Sequence, residues 1–340
     1  RSRRRSAGPS VLVLEVDAAV QFGTAGEPRL HVTPAADDPA RLRRYLERAA
    51  AETPWPAVPP ARGARTSLPR EAYLRAVGEI RQSIVRGDVY QANLCQMFEV
   101  ACEEPPLDVY ARLAATTPAP RSAFLAVPGF ALASVSPETF LVLGSPDRIE
   151  TVPIKGTRPR GATPDADARA AQELQASDKD RAELLMVVDL ERNDLSRVCR
   201  PGTVDVTDLA TVRSYPAVHH LVARVSGRLR PGVGFSDVIH AAFPGGSISG
   251  APKECALEIL EQLEPVPRGP FTGALCWLGD DGRIESSVLI RSVTLEGGVA
   301  RLGAGGGIVF DSDPQAEWEE SNHKARALAG ALGFAPELAR

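Results

Sequence analysis

Four carboxylate side chains stand at helical spacing in two separate segments of the sequence. Asp180 and Glu183 are three residues apart in one segment, and Glu317 and Glu320 are three residues apart in the other. Lys324 follows Glu320 by one helical turn. Residues at i, i+3 and i+4 share one face of a helix, so two such helices could bring oxygen ligands to Mg²⁺. Solvated helix faces are the alternative that the spacing alone leaves open.

Lys155 is a second candidate for chemistry, because the chain uses so few lysines. It has four lysines against 35 arginines, so arginine supplies most of its fixed positive charges. An arginine guanidinium stays protonated in proteins, whereas a lysine amine can lose its proton and attack carbon. Lys155 is therefore a candidate nucleophile, and an ordinary loop lysine is the alternative.

Arg291 and a pair of histidines are the remaining polar residues in apolar surroundings. Arg291 stands in the segment VLIRSV, where it must be paired or face a cavity, and arginine binds carboxylates with two N–H groups. His219 and His220 are adjacent, so one of them should face the apolar side of its element. A buried histidine of this kind is more often a hydrogen-bonded core residue than a catalyst.

Three familiar ligand motifs are incomplete in this sequence. The segment GGSISGAPK lacks the Gly-Lys-Ser/Thr ending of a phosphate-binding loop. Ile308 stands where a dinucleotide fingerprint needs its third small residue. Gln315 and Ala316 replace the acid or amide and the glycine of a calcium loop. These three functions are therefore excluded.

Composition predicts a folded, soluble, cytoplasmic protein. The chain has 340 residues, 44% of them hydrophobic, which is enough for a sizeable core. A net charge of −4 gives no field for nucleic acid or membrane, and the basic run at residues 1–6 is predicted to be a disordered tail. Five cysteines without a CxxC pair indicate reduced thiols, and no apolar stretch reaches the ~20 residues that span a bilayer. The first residue is arginine, so the true start could lie upstream.

The elements that must position these residues are mixed in type. Strands are predicted over residues 11–16 and 28–32 and a helix over 38–52, and the proline-rich stretch 53–70 then separates a short N-terminal segment (1–60) from a catalytic domain (68–332). Apolar residues at helical spacing predict a helix from Tyr73 to near Gly87. Further along, short β runs alternate with helices predicted over 165–190 and 314–331, which favours an α+β fold.

Six ordered motifs give the chain a resemblance to a known family. They are SPETF, PIKGTRPRG, AELLMVVDLERND, HLVARVSGRL, FPGGSISGAPK and GAGGGIVFDSDPQAEWEESNHKA. Over residues 68–332 the chain resembles the chorismate-utilising enzymes, which include the anthranilate, aminodeoxychorismate, isochorismate and salicylate synthases. The resemblance implies an anthranilate synthase component I-like sandwich, with two central antiparallel β-sheets flanked by helices.

The same resemblance implies a Mg²⁺ ion that holds a carboxylate of chorismate. Glu183 and Glu320 would be its ligands, with Glu317 and Asp180 acting through water. Asp180 departs from the glutamate that is common at this position in the family, so its reach is shorter. Phe271 occupies a position where several members have tyrosine. The substrate carboxylates would be held by Arg291, Gly305 and Lys324, His220 would line the ring pocket, and Gln91, Thr157, Ser249 and Gly250 would complete the binding site.

Two positions indicate which reaction the resemblance implies. Isochorismate and salicylate synthases have a lysine at Gln91 as the base that activates water, and glutamine cannot take that proton. Lys155 lies in the segment PIKGT, which resembles the aminodeoxychorismate synthases. The anthranilate synthases resemble one another in having PIAGT, with alanine in place of this lysine. In that likeness Lys155 attacks carbon 2 of chorismate, Glu138 protonates the hydroxyl that leaves carbon 4, and ammonia enters at carbon 4.

The expected function is therefore the component of an aminodeoxychorismate synthase that aminates chorismate, for 4-aminobenzoate and folate or an antibiotic. No glutaminase segment is recognisable, so the likeness implies ammonia from a separate glutamine amidotransferase. Two alternatives stay open: an anthranilate or 2-amino-2-deoxyisochorismate synthase, and a regulatory subunit that binds chorismate without turnover. Retention of Glu138, Lys155, Glu183 and Glu320 argues against the regulatory subunit.

Overall fold

The computed structural model describes residues 12–14, 18–21, 29–32, 56–145, 147–216 and 218–340. The chain divides into two compact units, one of residues 9–55 and one that contains residues 56–340. In the smaller unit, β1 (Ala18–Gln21) pairs with β2 (Arg29–Val32) in an antiparallel ladder. The second predicted strand is thus present, residues 12–14 carry no regular structure, and the helix predicted over 38–52 lies outside the described residues.

The described part of the larger unit contains fourteen strands and seven α-helices. The helices are α1 (Arg70–Arg86), α2 (Pro106–Thr116), α3 (Pro164–Ala176), α4 (Asp178–Ser196), α5 (Phe235–Ala242), α6 (Lys253–Leu263) and α7 (Pro314–Ala331). The strands are β3 (Ala64–Thr66), β4 (Gln91–Ala101), β5 (Arg121–Val127), β6 (Phe130–Ser136), β7 (Thr139–Ser145), β8 (Arg148–Val152), β9 (Ile154–Pro159), β10 (Asp205–Ser214), β11 (Val218–Arg228), β12 (Gly250–Ala251), β13 (Ala274–Leu278), β14 (Ile284–Val288), β15 (Ser292–Glu296) and β16 (Val299–Ile308).

The strands form two seven-stranded sheets. The first sheet has the order β12-β4-β16-β15-β6-β5, and β3 also pairs with β4. The second has the order β10-β11-β8-β7-β14-β13, and β9 also pairs with β11. All these pairings are antiparallel. The predicted α+β fold with two antiparallel sheets and flanking helices is confirmed.

Each of the two helices that carry the spaced carboxylates packs on one of the sheets. Helix α4 packs on β11 of the second sheet, with Leu184 and Val188 in a core that also contains Leu221. Helix α7 packs on β16 of the first sheet, with Ala325 and Leu328 in its core. The apolar positions of both helices alternate with their carboxylates at helical spacing, so packing on a sheet fixes where the carboxylates point.

Local sequence signals explain where the helices begin and end. Helix α1 buries Tyr73, Val77 and Ile80 as predicted and ends at Gly87, whose φ of 83° is left-handed. Helix α7 matches its predicted range, and the Asp313 side chain caps it by accepting a hydrogen bond from the Ala316 N–H.

The single helix predicted over 165–190 is wrong, because Ser177 interrupts it. Ser177 has an extended backbone, and its hydroxyl accepts a hydrogen bond from the Asp180 N–H as the N-cap of α4. Helical periodicity continues across the break, so the pattern alone did not reveal it. The three short helices α2, α5 and α6 were also not predicted. None of the helices in the described ranges is long and apolar enough to cross a membrane.

Candidate active site

A glycine run in β16 lies under the carboxylates of α7. A methyl group placed on Gly306 would lie 3.1 Å from Glu317 Oε2, 3.8 Å from Glu320 Oε1 and 3.8 Å from Lys324 Nζ. Lys324 Nζ also donates a hydrogen bond of 3.0 Å to the Gly305 carbonyl. The structure therefore brings together the three residues that the helical spacing predicted to share a face, and the glycine leaves a space between them and the strand.

The next glycine of β16 marks where the two sheets meet. A methyl group on Gly307 would lie 2.3 Å from Gln91 Nε2 and 3.5 Å from Lys155 Nζ. Gln91 begins β4 in the first sheet, and Lys155 lies in β9 of the second. Both polar atoms of the Gln91 side chain are buried without a hydrogen-bond partner among the described residues. The Gln91 amide is therefore free to bind a ligand beside the Lys155 amine.

The surroundings of Lys155 favour a neutral amine. The residue keeps part of its surface accessible, yet protein atoms crowd the amine. Desolvation by these atoms lowers the Lys155 pKa from its ordinary value, and the charge of Lys324 lowers it further. Glu183, Glu138 and Glu320 act in the opposite direction. Because desolvation prevails, Lys155 is better suited to attack carbon than an exposed lysine would be.

Glu138 follows β6 and is 4% exposed. Burial raises its pKa to about 7, because a carboxylate loses the solvation that water would give it. The nearby Ser247 hydroxyl, the Lys155 charge and the Ile154 backbone N–H work against this rise. A carboxyl with this pKa holds its proton near neutral pH and can donate it.

The four carboxylates predicted to act on a metal separate into three residues and an outlier. Glu317 accepts a hydrogen bond of 2.7 Å from the Ser312 hydroxyl, and burial raises its pKa. Lys324 lies 2.7 Å from Glu320 and lowers the pKa of that carboxyl. Glu183 is close enough to Lys155 to act on its charge. Asp180 is instead paired with Arg158 at 3.0 Å.

No group of three or more histidines, cysteines and acids converges tightly enough to hold a metal among the residues that the structure describes. The donor set nevertheless fits Mg²⁺, which takes oxygen ligands and needs only one or two carboxylates from the protein. Glu317 and Glu320 both face Gly306, and Glu320 and Glu183 both act on Lys155. Asp180 has its charge satisfied by Arg158, so it fits the metal site less well.

His220 lies in β11 opposite Thr157 and is 2% exposed. Its Nδ1 lies 2.9 Å from the Thr157 hydroxyl, while its Nε2 is buried without a partner in the described ranges. Burial, with the charge of Arg291, lowers the His220 pKa to about 4, so the ring is neutral. His219 makes a different set of contacts, with Ser214 and Asp167. His220 thus has an unused ring nitrogen, and His219 is a hydrogen-bonded core residue.

Arg291 combines three features of a ligand-binding arginine. It is half-buried, desolvation lowers its pKa, and no ion pair to it is found among the described residues. Its φ of 48° is left-handed, a conformation that costs other residues about 1–3 kcal/mol and that clusters at functional sites. Arg291 is therefore unpaired in the described ranges, and its facing a cavity stays a prediction.

The remaining predicted residues lie around the same glycine run. The Ser249 hydroxyl donates to the Gly245 carbonyl, and Gly250 pairs with Ala92 in β4. Phe271 is buried, and its ring lies within 2.2 Å of the position a methyl group on Gly303 would take. Sequence reasoning quoted the segment that contains Ser247 but assigned that residue no role. Only its contact with Glu138 reveals one.

Comparisons with known proteins identify the family of the chain. The family model described as chorismate binding enzyme matches residues 21–330. Anthranilate synthase component 1 1 of Haloarcula marismortui is 45% identical over 263 residues, which cover 77% of this chain and 54% of that protein. Aminodeoxychorismate synthase component 1 of Bacillus subtilis is 42% identical over 267 residues, which cover 78% of this chain and 57% of that protein.

A solved structure of a similar protein has the same fold as this chain. Anthranilate synthase component I from Streptococcus pneumoniae superposes with a TM-score of 0.77 at 27% identity, over 91% of this chain and 76% of that one. The chain spans little more than half the length of the curated relatives it matches.

Proposed function

The chain belongs to the family of chorismate-binding enzymes, and from this premise we propose that it converts chorismate and ammonia to 4-amino-4-deoxychorismate. The observation that carries the proposal is the Lys155 amine. Lys155 is desolvated, has a lowered pKa and lies beside Gln91 at the glycine run of β16. A lysine nucleophile at this position distinguishes amination at carbon 4 from the other reactions considered.

Lys155 and Glu138 both act in the first half of the reaction, Lys155 as the nucleophile and Glu138 as the acid. The neutral Lys155 amine attacks carbon 2 of chorismate while the hydroxyl leaves carbon 4, and Glu138 gives this hydroxyl its proton so that it departs as water. In the second half, ammonia attacks carbon 4 and expels the Lys155 amine from carbon 2. The excess proton of the new ammonium group returns to Glu138.

The substrate is held by groups that the structure leaves available. Arg291 and Lys324, with the Gly305 backbone, bind its carboxylates, because guanidinium and ammonium groups favour anions. His220 lines the ring pocket with its unused Nε2. Gln91, Thr157, Ser249 and Gly250 complete the pocket.

Glu183 and Glu320 would hold Mg²⁺, with Glu317 beside them and Asp180 at its edge through water. When bound, the ion would offset the charge of one substrate carboxylate and fix its position. Glu317 and Glu320 come from α7 on the first sheet, and Glu183 comes from α4 on the second. The ion would therefore connect elements of both sheets.

The ammonia comes from a glutamine amidotransferase partner in this proposal. The matched relatives named as component 1 support it, since that name implies a further component. The product serves 4-aminobenzoate and folate synthesis or an antibiotic pathway, in the cytoplasm. All five cysteines are free thiols, in line with that compartment. The catalytic domain is proposed to span 68–332, with residues 1–60 as a separate segment.

An anthranilate synthase is the second candidate, because the Haloarcula relative with that name is 45% identical. A 2-amino-2-deoxyisochorismate synthase would share its position of amination. Both differ from the proposal in adding nitrogen at carbon 2. A non-enzymatic chorismate-binding subunit is disfavoured by the pKa values of Lys155 and Glu138, which suit turnover.

The test is the product formed by the purified chain from chorismate, Mg²⁺ and an ammonium salt, identified by mass and NMR. We expect an amine at carbon 4 with the enolpyruvyl group retained. An amine at carbon 2, or anthranilate, would overturn the proposal in favour of the second candidate. No turnover with ammonium salt or with the amidotransferase, despite tight chorismate binding, would indicate the regulatory subunit.

A further inference from the structure

A small cavity lies beside Glu191, under the turn that precedes Ser247. Its volume is about 10 Å³, which is about the smallest space that holds one water molecule. It is lined by Phe140 and Leu141 of β7, Thr151 of β8, Glu191, Asp194 and Leu195 of α4, Ala242 of α5, and the turn Gly245–Gly246. A water molecule there would find polar partners, because three of these side chains carry oxygen atoms.

Glu191 is the lining residue whose burial has no structural explanation. It is 8% exposed, and its Oε2 atom has no hydrogen-bond partner in the described ranges. The Thr151 hydroxyl is close enough to donate a hydrogen bond to the same carboxyl. An unpaired buried carboxylate destabilises the folded chain, and packing alone does not explain why Glu191 is buried here.

Glu191 and Glu138 are connected through one turn of the backbone. A methyl group on Gly246 would lie 3.5 Å from Glu191 Cγ, so this backbone packs directly on the Glu191 side chain. The next residue, Ser247, has a buried hydroxyl that lowers the Glu138 pKa and that makes no hydrogen bond of good geometry to the described residues. Phe140 and Leu141, which line the cavity, follow Glu138 in the chain by two and three residues.

We propose that Glu191 is a second buried acid that exchanges a proton with Glu138 through one water molecule in this cavity and the Ser247 hydroxyl. The proposal names a proton-transfer residue for the proposed amination and rests on that function. It also makes a claim about the two carboxyl groups that holds without turnover.

The charges around the pair agree with a neutral Glu191. Its pKa is raised well above the ordinary value, first by burial and next by the charge of Glu138. Asp194 adds to this effect, whereas Lys253 of α6 opposes it. The Lys253 amine is 2.7 Å from Asp194 and also bonds the Ala242 carbonyl, so Asp194 already neutralises much of it. Lys155 faces Glu138 from β9.

Glu138 and Glu191 then supply and recover every proton that the proposed reaction moves. At the start both acids are protonated. When the carbon 4–oxygen bond breaks, the Glu138 proton leaves with the hydroxyl as water. The water molecule in the cavity and the Ser247 hydroxyl pass the Glu191 proton to Glu138, so that one proton is shared between two carboxyl groups. When the carbon 4–nitrogen bond forms and Lys155 departs, the excess ammonium proton restores the second one.

The test compares Glu191→Gln with the wild-type chain. Glutamine has nearly the same shape but cannot give up an acid proton. Leu195→Met is the matched control, because Leu195 lines the same cavity and a volume-conserving change alters packing without altering protons. Infrared titration of the ligand-free chain, in which protonated buried carboxyl groups absorb separately, should show two coupled midpoints for this pair in the wild type, of which only one remains in Glu191→Gln.

The rate of turnover should also depend on Glu191. We expect Glu191→Gln to lower kcat roughly 100-fold, the lower end of what proton transfer contributes, with KM for chorismate changed less than twofold. Leu195→Met should keep both kcat and the two midpoints. A Glu191→Gln variant with unchanged kcat and unchanged titration would overturn the proposal, and so would an equal loss of kcat in Leu195→Met. If the wild type yields a product other than the carbon 4 amine while the coupled midpoints depend on Glu191, the proposed function fails and the proton pair stands.

Discussion

Lys155 and Glu138 differ from ordinary surface residues because burial shifts their protonation in useful directions. Desolvation disfavours the charged form of each, which lowers the pKa of the amine and raises that of the acid. The result is a pair in which the proposed nucleophile is more often neutral and the proposed acid more often protonated near neutral pH. Residue type alone permits these roles, and the surroundings make them effective.

Replacing Lys155 with arginine tests the covalent route. Arginine keeps the positive charge but stays protonated, so it cannot attack carbon 2. We expect kcat to fall by at least about 10³-fold, in the range of lost nucleophilic catalysis, with chorismate affinity within about tenfold of the wild type. Steady-state kinetics and a chorismate-binding titration measure the two quantities. An arginine variant with near wild-type kcat would exclude Lys155 as nucleophile.

The Glu138 pKa of about 7 predicts how activity and stability depend on pH. Activity needs the protonated acid, so kcat should fall as pH rises through about 7. The folded pKa lies above the unfolded value, so the folded state binds more protons between these values and stability falls as pH rises through this window. Above pH 7 the ionised, buried carboxylate costs about 3 kcal/mol.

Glu138→Gln should therefore lose activity and gain stability at alkaline pH. Urea unfolding at pH 8 should give a higher free energy of unfolding than the wild type by up to about 3 kcal/mol, with a much smaller difference at pH 5. A variant that is equally destabilised at both pH values would contradict the raised pKa.

At the scale of single elements, β16 and α7 make the site together. The helix supplies Glu317, Glu320 and Lys324 at helical spacing, and the strand supplies glycines where those side chains and the ones from β4 and β9 approach it. A strand of this kind is weak by itself, because glycine packs poorly and is flexible. Its pairing with β4 over ten residues compensates for that weakness.

Gly307→Ala should damage the site more than the fold. Its methyl group would come 2.3 Å from Gln91 Nε2 and 3.5 Å from Lys155 Nζ, so the Gln91 side chain must move. We expect kcat/KM to fall about 100-fold or more, because small misplacements near reacting groups cost that much. Kinetics and thermal unfolding measure the two effects.

Gly330→Ala is the matched control for this change. Gly330 lies in α7, and no atom lies within 4 Å of the position its methyl group would take. Alanine is the better helix former, so stability should rise by about 0.5–1 kcal/mol with kcat/KM unchanged. Equal kinetic losses in both variants would show that glycine flexibility in general, and not space at Gly307, is needed.

At the scale of the whole molecule, the candidate metal residues connect the two sheets. Mg²⁺ binding to Glu183 from α4 and to Glu320 from α7 would stabilise the folded chain by mass action. We expect the unfolding temperature to rise with Mg²⁺ concentration in the wild type. The rise should disappear in Glu320→Gln and persist in Asp180→Asn, because Asp180 is already paired with Arg158. A persistent shift in Glu320→Gln would place the ion elsewhere.

The sequence by itself determined the α+β class, the extents of α1 and α7, the β runs within 122–152 and 273–310 and the residues able to do chemistry. Periodicity and capping are local, so they survive without tertiary contacts, and six ordered motifs indicated the family. The sequence did not reveal the break at Ser177, since an apolar pattern continues across it.

Only the tertiary structure decided which of these residues act together. The approach of Gln91 and Lys155 to Gly307, the Arg158–Asp180 ion pair and the electrostatic interaction of Glu138 with Glu191 each join segments that are distant in the chain. Their pKa values depend on desolvation and on charges contributed by other elements, and neither quantity exists before the chain folds.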